Sequence, residues 1–226
     1  MERLEGMAAF FERRLEDYDS HMLRDIEGAA EFYEFTASLL PKGPGLLLDL
    51  GCGTGLELEE YFRQGGGAGI VGVDLSEGML SELKRKLPDR DLKLIAGSYF
   101  DVPLGEERFD GAVSVESLHH FTYEEKLGLY KKLLAALKPG GCFVLTDYFA
   151  ESPEHEKFYF AELARMKGEQ GLSEGFYHYD TPLTAEHETE ALLEAGFDSV
   201  EDLHTWENTH TLMARKKTFS EEPAND

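Results

Sequence analysis

Three glycines in alternation, Gly51, Gly53 and Gly55, begin two residues after Asp49 in the stretch "LLLDLGCGTGLELEEYF". A glycine turn between an apolar run and a helical pattern lets the backbone approach a ligand with no Cβ in the way. Such turns hold nucleotides. The G-x-G-x-G spacing departs from the dinucleotide fingerprint G-x-G-x-x-G, and no Gly-Lys-Ser/Thr follows, so a nicotinamide site and a P-loop are both disfavoured. An aspartate ahead of the turn suits a ligand carrying positive charge. Asp74 ends the next apolar run, "IVGVD", where a carboxylate can accept both hydroxyls of an adenosine ribose. Leu75 and Met79 follow; they can sandwich an adenine ring, or Met79 can fill a helix core.

A second group has the residue types for acid–base work. Glu116 directly follows the apolar stretch Phe109–Val115, where solvation is poor, and it can orient a ligand, hold a cation or cap the turn. His119 and His120, in "SLHHF", titrate near neutrality and can serve as bases or pack. No further ligands at metal-type spacing follow them, so no metal is expected. Asp147 ends a later strand whose tip faces the same crevice in an open α/β sheet. Tyr177 and His178 lie in "FYHYD" (176–180), which either lines a lid over a substrate pocket or anchors a loop through ring packing.

These residues need an alternating frame to position them. Short apolar runs predict strands at Leu46–Leu50, Ile70–Asp74, Leu92–Ala96, Phe109–Val115 and Cys142–Asp147. Helical patterns fill Leu56–Gln64, Glu77–Leu87 and Tyr123–Leu137, and "KPGG" (138–141) ends the last of these and launches the fifth strand. The alternation predicts a doubly wound α/β sandwich. Residues 1–40 read as a helical cap, 46–147 as the binding core, and 150–183 as a lid insertion. Residues 184–217 read as a closing helix, with Thr184 as N-cap and Gly196 past its end, and a strand pair near Ser199–Trp206 and His210–Lys216. Residues 218–226 read as a disordered tail. Trp206 and His210 read as structural.

Composition narrows the partners. A chain of 226 residues allows one large domain, and a net charge of −23 repels phosphate backbones and anionic lipid. DNA and membranes are therefore not expected as partners. The acid excess serves solubility, or it favours a neutral or cationic small molecule. No apolar run is long enough to span a bilayer, and the acidic start is unlike a signal peptide. Cys52 and Cys142 read as reduced, buried thiols of a cytoplasmic protein.

The set "LLLDLGCGTG", "VGVDLSEGML", "AGSYFDVPL", "FDGAVSVESLHHF" and "LKPGG", in that order, resembles the class I S-adenosylmethionine (SAM)-dependent methyltransferases. The resemblance covers most of residues 18–217. It implies a Rossmann-like three-layer α/β/α sandwich with a seven-stranded, mostly parallel sheet whose last strand is antiparallel. It implies SAM as cofactor, lined by Asp49, Gly51, Cys52, Gly53 and Gly55, with Asp74 on the ribose. Ser98 and Tyr99 would lie at the adenine edge, where many members carry aspartate at the Ser98 position. Glu116 and Ser117 would reach the methionine end, and Tyr18 would fold over the pocket. The implied reaction moves a methyl group to a small-molecule acceptor and releases S-adenosylhomocysteine. Protein or RNA acceptors, or non-catalytic SAM binding, are the alternatives; monomer and homodimer are both open.

Overall fold

The computed structural model describes residues 3–172 and 175–218. Three helices open the chain: α1 (Met7–Arg14), α2 (Tyr18–Asp25) and α3 (Ala29–Leu39). The alternating core follows as β1 (Leu46–Leu50), α4 (Leu56–Arg63), β2 (Gly69–Asp74), α5 (Glu77–Lys86), β3 (Leu92–Ala96), β4 (Phe109–Val115), α6 (Tyr123–Ala136) and β5 (Leu137–Tyr148). Then come α7 (Pro153–Gln170), α8 (Ala185–Ala195), β6 (Ser199–Trp206) and β7 (Thr209–Arg215). The seven strands form one sheet in the order β3-β2-β1-β4-β5-β7-β6, with β7 antiparallel to both neighbours.

Local chemistry sets the boundaries. The Ser76 hydroxyl accepts the Met79 N–H at the start of α5, and Thr122 and Glu125 form a reciprocal capping box on α6. Thr184 caps α8 by accepting the His187 N–H, and Gly196 ends that helix at φ 108°. One boundary differs from the sequence reading: β5 starts at Leu137, directly after α6, so "KPGG" lies inside the strand. A register irregularity between Phe109 and Gly111 absorbs it.

Alternation along each strand divides the core. Leu48, Leu50, Val71 and Val73 pack on one face against Leu129, Tyr130 and Leu133 of α6 and Ala191 and Leu192 of α8. Leu47, Ile70, Val113 and Val144 pack on the other, against Phe32 of α3, Leu58 and Tyr61 of α4, and Leu80 and Leu83 of α5. Both faces are covered, as short apolar parallel strands require. Trp206 packs on Phe32 and Phe35 and donates its indole N–H to Glu31 at 3.1 Å; His210 lies 2.7 Å from Asp202.

The cap and the insertion are tied together. Gly6 and Tyr177 form a β-bridge, Met7 N–H donates to the Phe176 carbonyl at 3.1 Å, and His178 N–H donates to the Glu5 carbonyl at 3.0 Å. The His178 ring stacks on Phe10 with centroids 3.4 Å apart. On the other side of α1, Glu12 accepts the Ser76 hydroxyl at 2.6 Å and the Gly78 N–H at 3.3 Å, so its charge meets the positive end of α5. Residues 219–226, most of the expected tail, lie outside the described residues.

Candidate active site

The strand order reverses between β1 and β4, and the turns after β1, β2, β4 and β5 meet at the carboxyl edge of that crevice. Gly51 takes φ 76°, and a Cβ there would lie 2.0 Å from the Ser117 hydroxyl, so the loop after β4 closes directly on the glycine turn. Gly53 takes φ 45°, and among the described residues nothing but the Gly51 carbonyl, at 4.0 Å, lies near its Cβ position. That is the space a cofactor uses when it lies against backbone. Asp74 faces the same turn. Its two oxygens accept the Gly53 N–H at 2.9 Å and the Ser76 N–H at 2.8 Å, and each keeps a lone pair for a further donor. Burial raises its pKa, against the pull of those N–H groups.

Beneath the turn lie two buried carboxyl groups. Asp49 is 1% exposed and Glu57, in the first turn of α4, is 5% exposed. Apart from a proton that the two carboxyls can share, neither Asp49 oxygen, nor Oε1 of Glu57, has a hydrogen-bond donor among the described residues. Burial, followed by the charge of Glu57, pushes the Asp49 pKa far up, and the pair can share one proton. Burial also raises Glu57, to about 7. Buried carboxyls without donors are costly unless something else supplies them. An ammonium-bearing cofactor is the kind of group they lack.

Two cavities adjoin. The first holds 40 Å³ and is walled by Met7, Phe11, Tyr18, Gly51, Gly53, Asp74, Met79, Glu116, Ser117 and His120. The second holds 320 Å³ and is walled by Phe10, Phe11, Arg14, Tyr18, His21, Met22, Ile26, Glu116, His119, His120, His178 and Asp180. Phe11, Tyr18, Glu116 and His120 belong to both and form the partition. The first space holds about one water, and Met7 and Phe11 of α1 are among its walls.

Several expected residues are therefore at the site, and several are behind it. Tyr18, Gly51, Gly53, Asp74, Met79 and Glu116 line the smaller cavity; His119, His120 and His178 line the larger. Cys52 is buried against β2, with its sulfur 2.7 Å from the Cβ position of Gly72, and offers only backbone to the turn. Gly55 begins α4 against Leu83. Leu75 packs into the core. The Ser98 hydroxyl accepts the Phe100 N–H at 3.2 Å, capping its own turn. Tyr99 is buried behind Gly51 and donates its hydroxyl to the Ser117 carbonyl at 3.2 Å. Tyr177 turns to the Gly6 bridge and to Lys167, whose ammonium is 5.2 Å from its ring, and walls neither of the two cavities.

Electrostatics separate the three acid–base candidates. Burial lowers the His119 pKa, but the Asp147 charge and hydrogen bond, with Asp180 beyond, outweigh it and hold the ring well above its usual value. Asp147 is lowered in return, since the His119 charge overcomes its burial. Asp180 is lowered through the same histidine. Burial, then the neighbouring His119 cation, depresses His120 to about 3, and burial depresses His178 to about 4. Glu116 is raised by burial to about 7, with His119 pulling it down and Asp147 and Asp180 pushing it up. Its backbone is left-handed, φ 48°, a conformation costing ~1–3 kcal/mol in a residue with a Cβ and often found at functional sites. The strain turns the carboxyl into the partition, where Oε1 accepts the Thr209 hydroxyl at 3.2 Å.

Sequence reasoning passed over several contributors. Phe10, Phe11 and Arg14 lie within the stretch read as a helical cap, and contacts between distant segments, the pairing of Gly6 with Tyr177 and the Glu12 contacts to Ser76 and Gly78, place that helix over the crevice. Glu57 read as a helix position and is buried instead. Its position straight after the glycine turn was the available signal.

Comparisons with known proteins identify the family. The family model described as a methyltransferase domain matches residues 47–141. Carboxy-S-adenosyl-L-methionine synthase of Wolinella succinogenes is 32% identical over 240 residues, covering 95% of this chain and 96% of that protein. Among solved structures, human N-acetylserotonin methyltransferase in complex with SAM superposes with a TM-score of 0.61 at 20% identity, over 92% of this chain and 55% of that one. A SAM-dependent methyltransferase from Mesorhizobium loti gives 0.59 at 23%, over 84% of this chain and 99% of that one. The chain belongs to the class I SAM-dependent methyltransferases, with their Rossmann-like fold. It is an enzyme of that family and its cofactor is SAM. No helix among the described residues is long and apolar enough to cross a membrane.

Proposed function

We propose that this enzyme transfers the SAM methyl group to a small-molecule acceptor held in the 320 Å³ cavity. The observation that carries the reading is the shared partition: Glu116, Tyr18, Phe11 and His120 wall both the glycine-turn cavity and its neighbour. Cofactor and acceptor then meet at one boundary. SAM, when bound, supplies an already activated methyl on a sulfonium. The chain's task is alignment and exclusion of water. Asp74 holds the ribose hydroxyls, and the unpaired oxygens of Asp49 and Glu57 answer the positive charge of the amino acid end. Met7 and Phe11 must swing out with α1 to admit the nucleoside.

On the acceptor side, Phe10, Phe11 and Tyr18 offer apolar faces to a ring or an alkyl body. Glu116, Asp147 and Asp180 set against His119 and Arg14 favour a neutral or cationic molecule over an anion. Where the acceptor must lose a proton, Glu116 takes it: it stands at the partition with a pKa near working pH. His119, held as a cation, and His120, held neutral and weakly basic, position rather than accept. A cavity of this size fits a small ligand, and the net charge of −23 disfavours RNA.

The test is release of S-adenosylhomocysteine on incubation with SAM and a panel of small amines, phenols and heterocycles, with RNA and unfolded protein as competing acceptors. Turnover confined to small molecules is expected; turnover confined to RNA or protein overturns the reading. The Wolinella relative favours a second possibility, in which SAM itself gains a carboxyl group. A mass change on SAM with no methylated acceptor would select it.

A further inference from the structure

We propose that His119, His120 and Asp180 form a binding site for a divalent transition-metal ion at the acceptor cavity, with Asp147 orienting His119. The first observation is the geometry of the three side chains. Nε2 of His119 lies 3.6 Å, and Nδ1 of His120 lies 3.4 Å, from the same Asp180 oxygen. The three ligand atoms all lie within 4.8 Å of one another. Two ligands of a tetrahedral zinc, each ~2.0–2.1 Å from the ion, are roughly 3.3 Å apart. Both separations are long for hydrogen bonds and near that edge length.

The second observation is the support behind His119. Its Nδ1 lies 2.5 Å from Asp147 Oδ1. That carboxylate is itself fixed: Oδ2 accepts the Leu118 N–H at 2.8 Å and Oδ1 accepts the Tyr148 N–H at 3.0 Å. Asp147 is 1% exposed, so nothing solvates it but these donors. A buried carboxylate that receives one imidazole N–H and aims the other nitrogen outward is the arrangement found behind metal-binding histidines. The loops are also joined: Thr181 N–H donates to the His119 carbonyl at 2.8 Å, which holds Asp180 beside the histidine pair.

A competing triple, Glu116 with His119 and Asp147, shares one histidine. It is the weaker set, because both Asp147 oxygens already accept hydrogen bonds. Two imidazoles with one carboxylate suit zinc, cobalt or iron(II) over magnesium or calcium, which prefer oxygen. All three ligands wall the 320 Å³ cavity, so the ion's open positions face the acceptor space. Binding requires neutral imidazoles. The Nε2 proton of His119 leaves, while Nδ1–H stays on Asp147. His120 is neutral, so the Nδ1 proton it directs at the Tyr179 carbonyl, 3.2 Å away, moves to Nε2 when Nδ1 binds the ion, and that hydrogen bond is given up. The site does not depend on which acceptor the enzyme uses.

The experiment titrates chelator-stripped, untagged full-length protein with cobalt(II), followed by visible absorption, then displaces it with zinc(II) followed by calorimetry. One equivalent with a tetrahedral-type absorption band is expected. Asp180→Asn and His120→Gln should each weaken binding more than ~100-fold, and Asp147→Asn by 10–100-fold. His155→Gln, on the exposed start of α7, should bind as the wild type does. Circular dichroism melts confirm that each variant is folded. Absence of stoichiometric binding in the wild type, or undiminished binding in folded Asp180→Asn and His120→Gln, overturns the proposal and leaves His119 as an imidazolium bridging two carboxylates.

Discussion

Two buried carboxyl sites in this molecule have opposite surroundings. Between α6 and α8, Glu188 is fully buried, but Lys126 lies 2.5 Å from one oxygen and the Tyr130 hydroxyl bonds the other. Beneath the glycine turn, Asp49 and Glu57 are also buried, and three of their four oxygens have no donor among the described residues apart from a proton the pair can share. The first site has its countercharge built in. The second is incomplete in the protein alone. A buried charge matched by its own fold holds the fold together; one left unmatched, at the edge where turns converge, is a candidate place for a ligand.

The largest effect expected from this contrast is at the matched site. Glu188→Ala leaves the Lys126 ammonium and the Tyr130 hydroxyl buried without a partner and should cost ~3–5 kcal/mol of stability in urea denaturation. A loss below ~1 kcal/mol would mean that water reaches the pair and that it resembles a surface ion pair.

Asp74 is intermediate, with two backbone donors in place and lone pairs to spare. Asp74→Ala should weaken SAM binding by ~1.5–3 kcal/mol in calorimetry. Unchanged affinity would place the ribose elsewhere.

The smallest effect separates the unmatched site from the matched one by pH. Glu57 binds its proton more tightly in the folded protein, with a pKa near 7, than at its ordinary value of 4.5. The folded state therefore holds more protons across that window, and stability without cofactor should fall as pH rises through it. Glu57→Gln should flatten this slope and raise the melting temperature above pH 7 by an amount equivalent to about 1 kcal/mol. A variant less stable than wild type there would show that the carboxyl has a donor of its own.

The frame was legible because its signals are local. "LLLDL" and "IVGVD" are short and apolar, as covered strands are, and Gly51, Gly53 and Asp74 follow or end them and line one cavity. What escaped depends on contacts between distant segments. Tyr177 and His178 are neighbours in sequence, yet the bridge to Gly6 takes Tyr177 away and stacks His178 on Phe10 over the cavity. Ser98 and Tyr99 follow β3 as expected, but their polar groups are taken up by Phe100 and Ser117. His119 and His120 showed no metal-type spacing because Asp180 arrives from another loop, whose Thr181 N–H donates to the His119 carbonyl.

The most direct test of the contrast is SAM affinity measured by calorimetry between about pH 5.5 and pH 7.5, in wild type and in Glu57→Gln. If the buried carboxyls serve the cationic cofactor, wild-type affinity rises with pH as Glu57 gives up its proton and leaves the pair with one, and the rise is much reduced in the variant. An affinity independent of pH in the wild type, or the same rise in Glu57→Gln, would contradict the account.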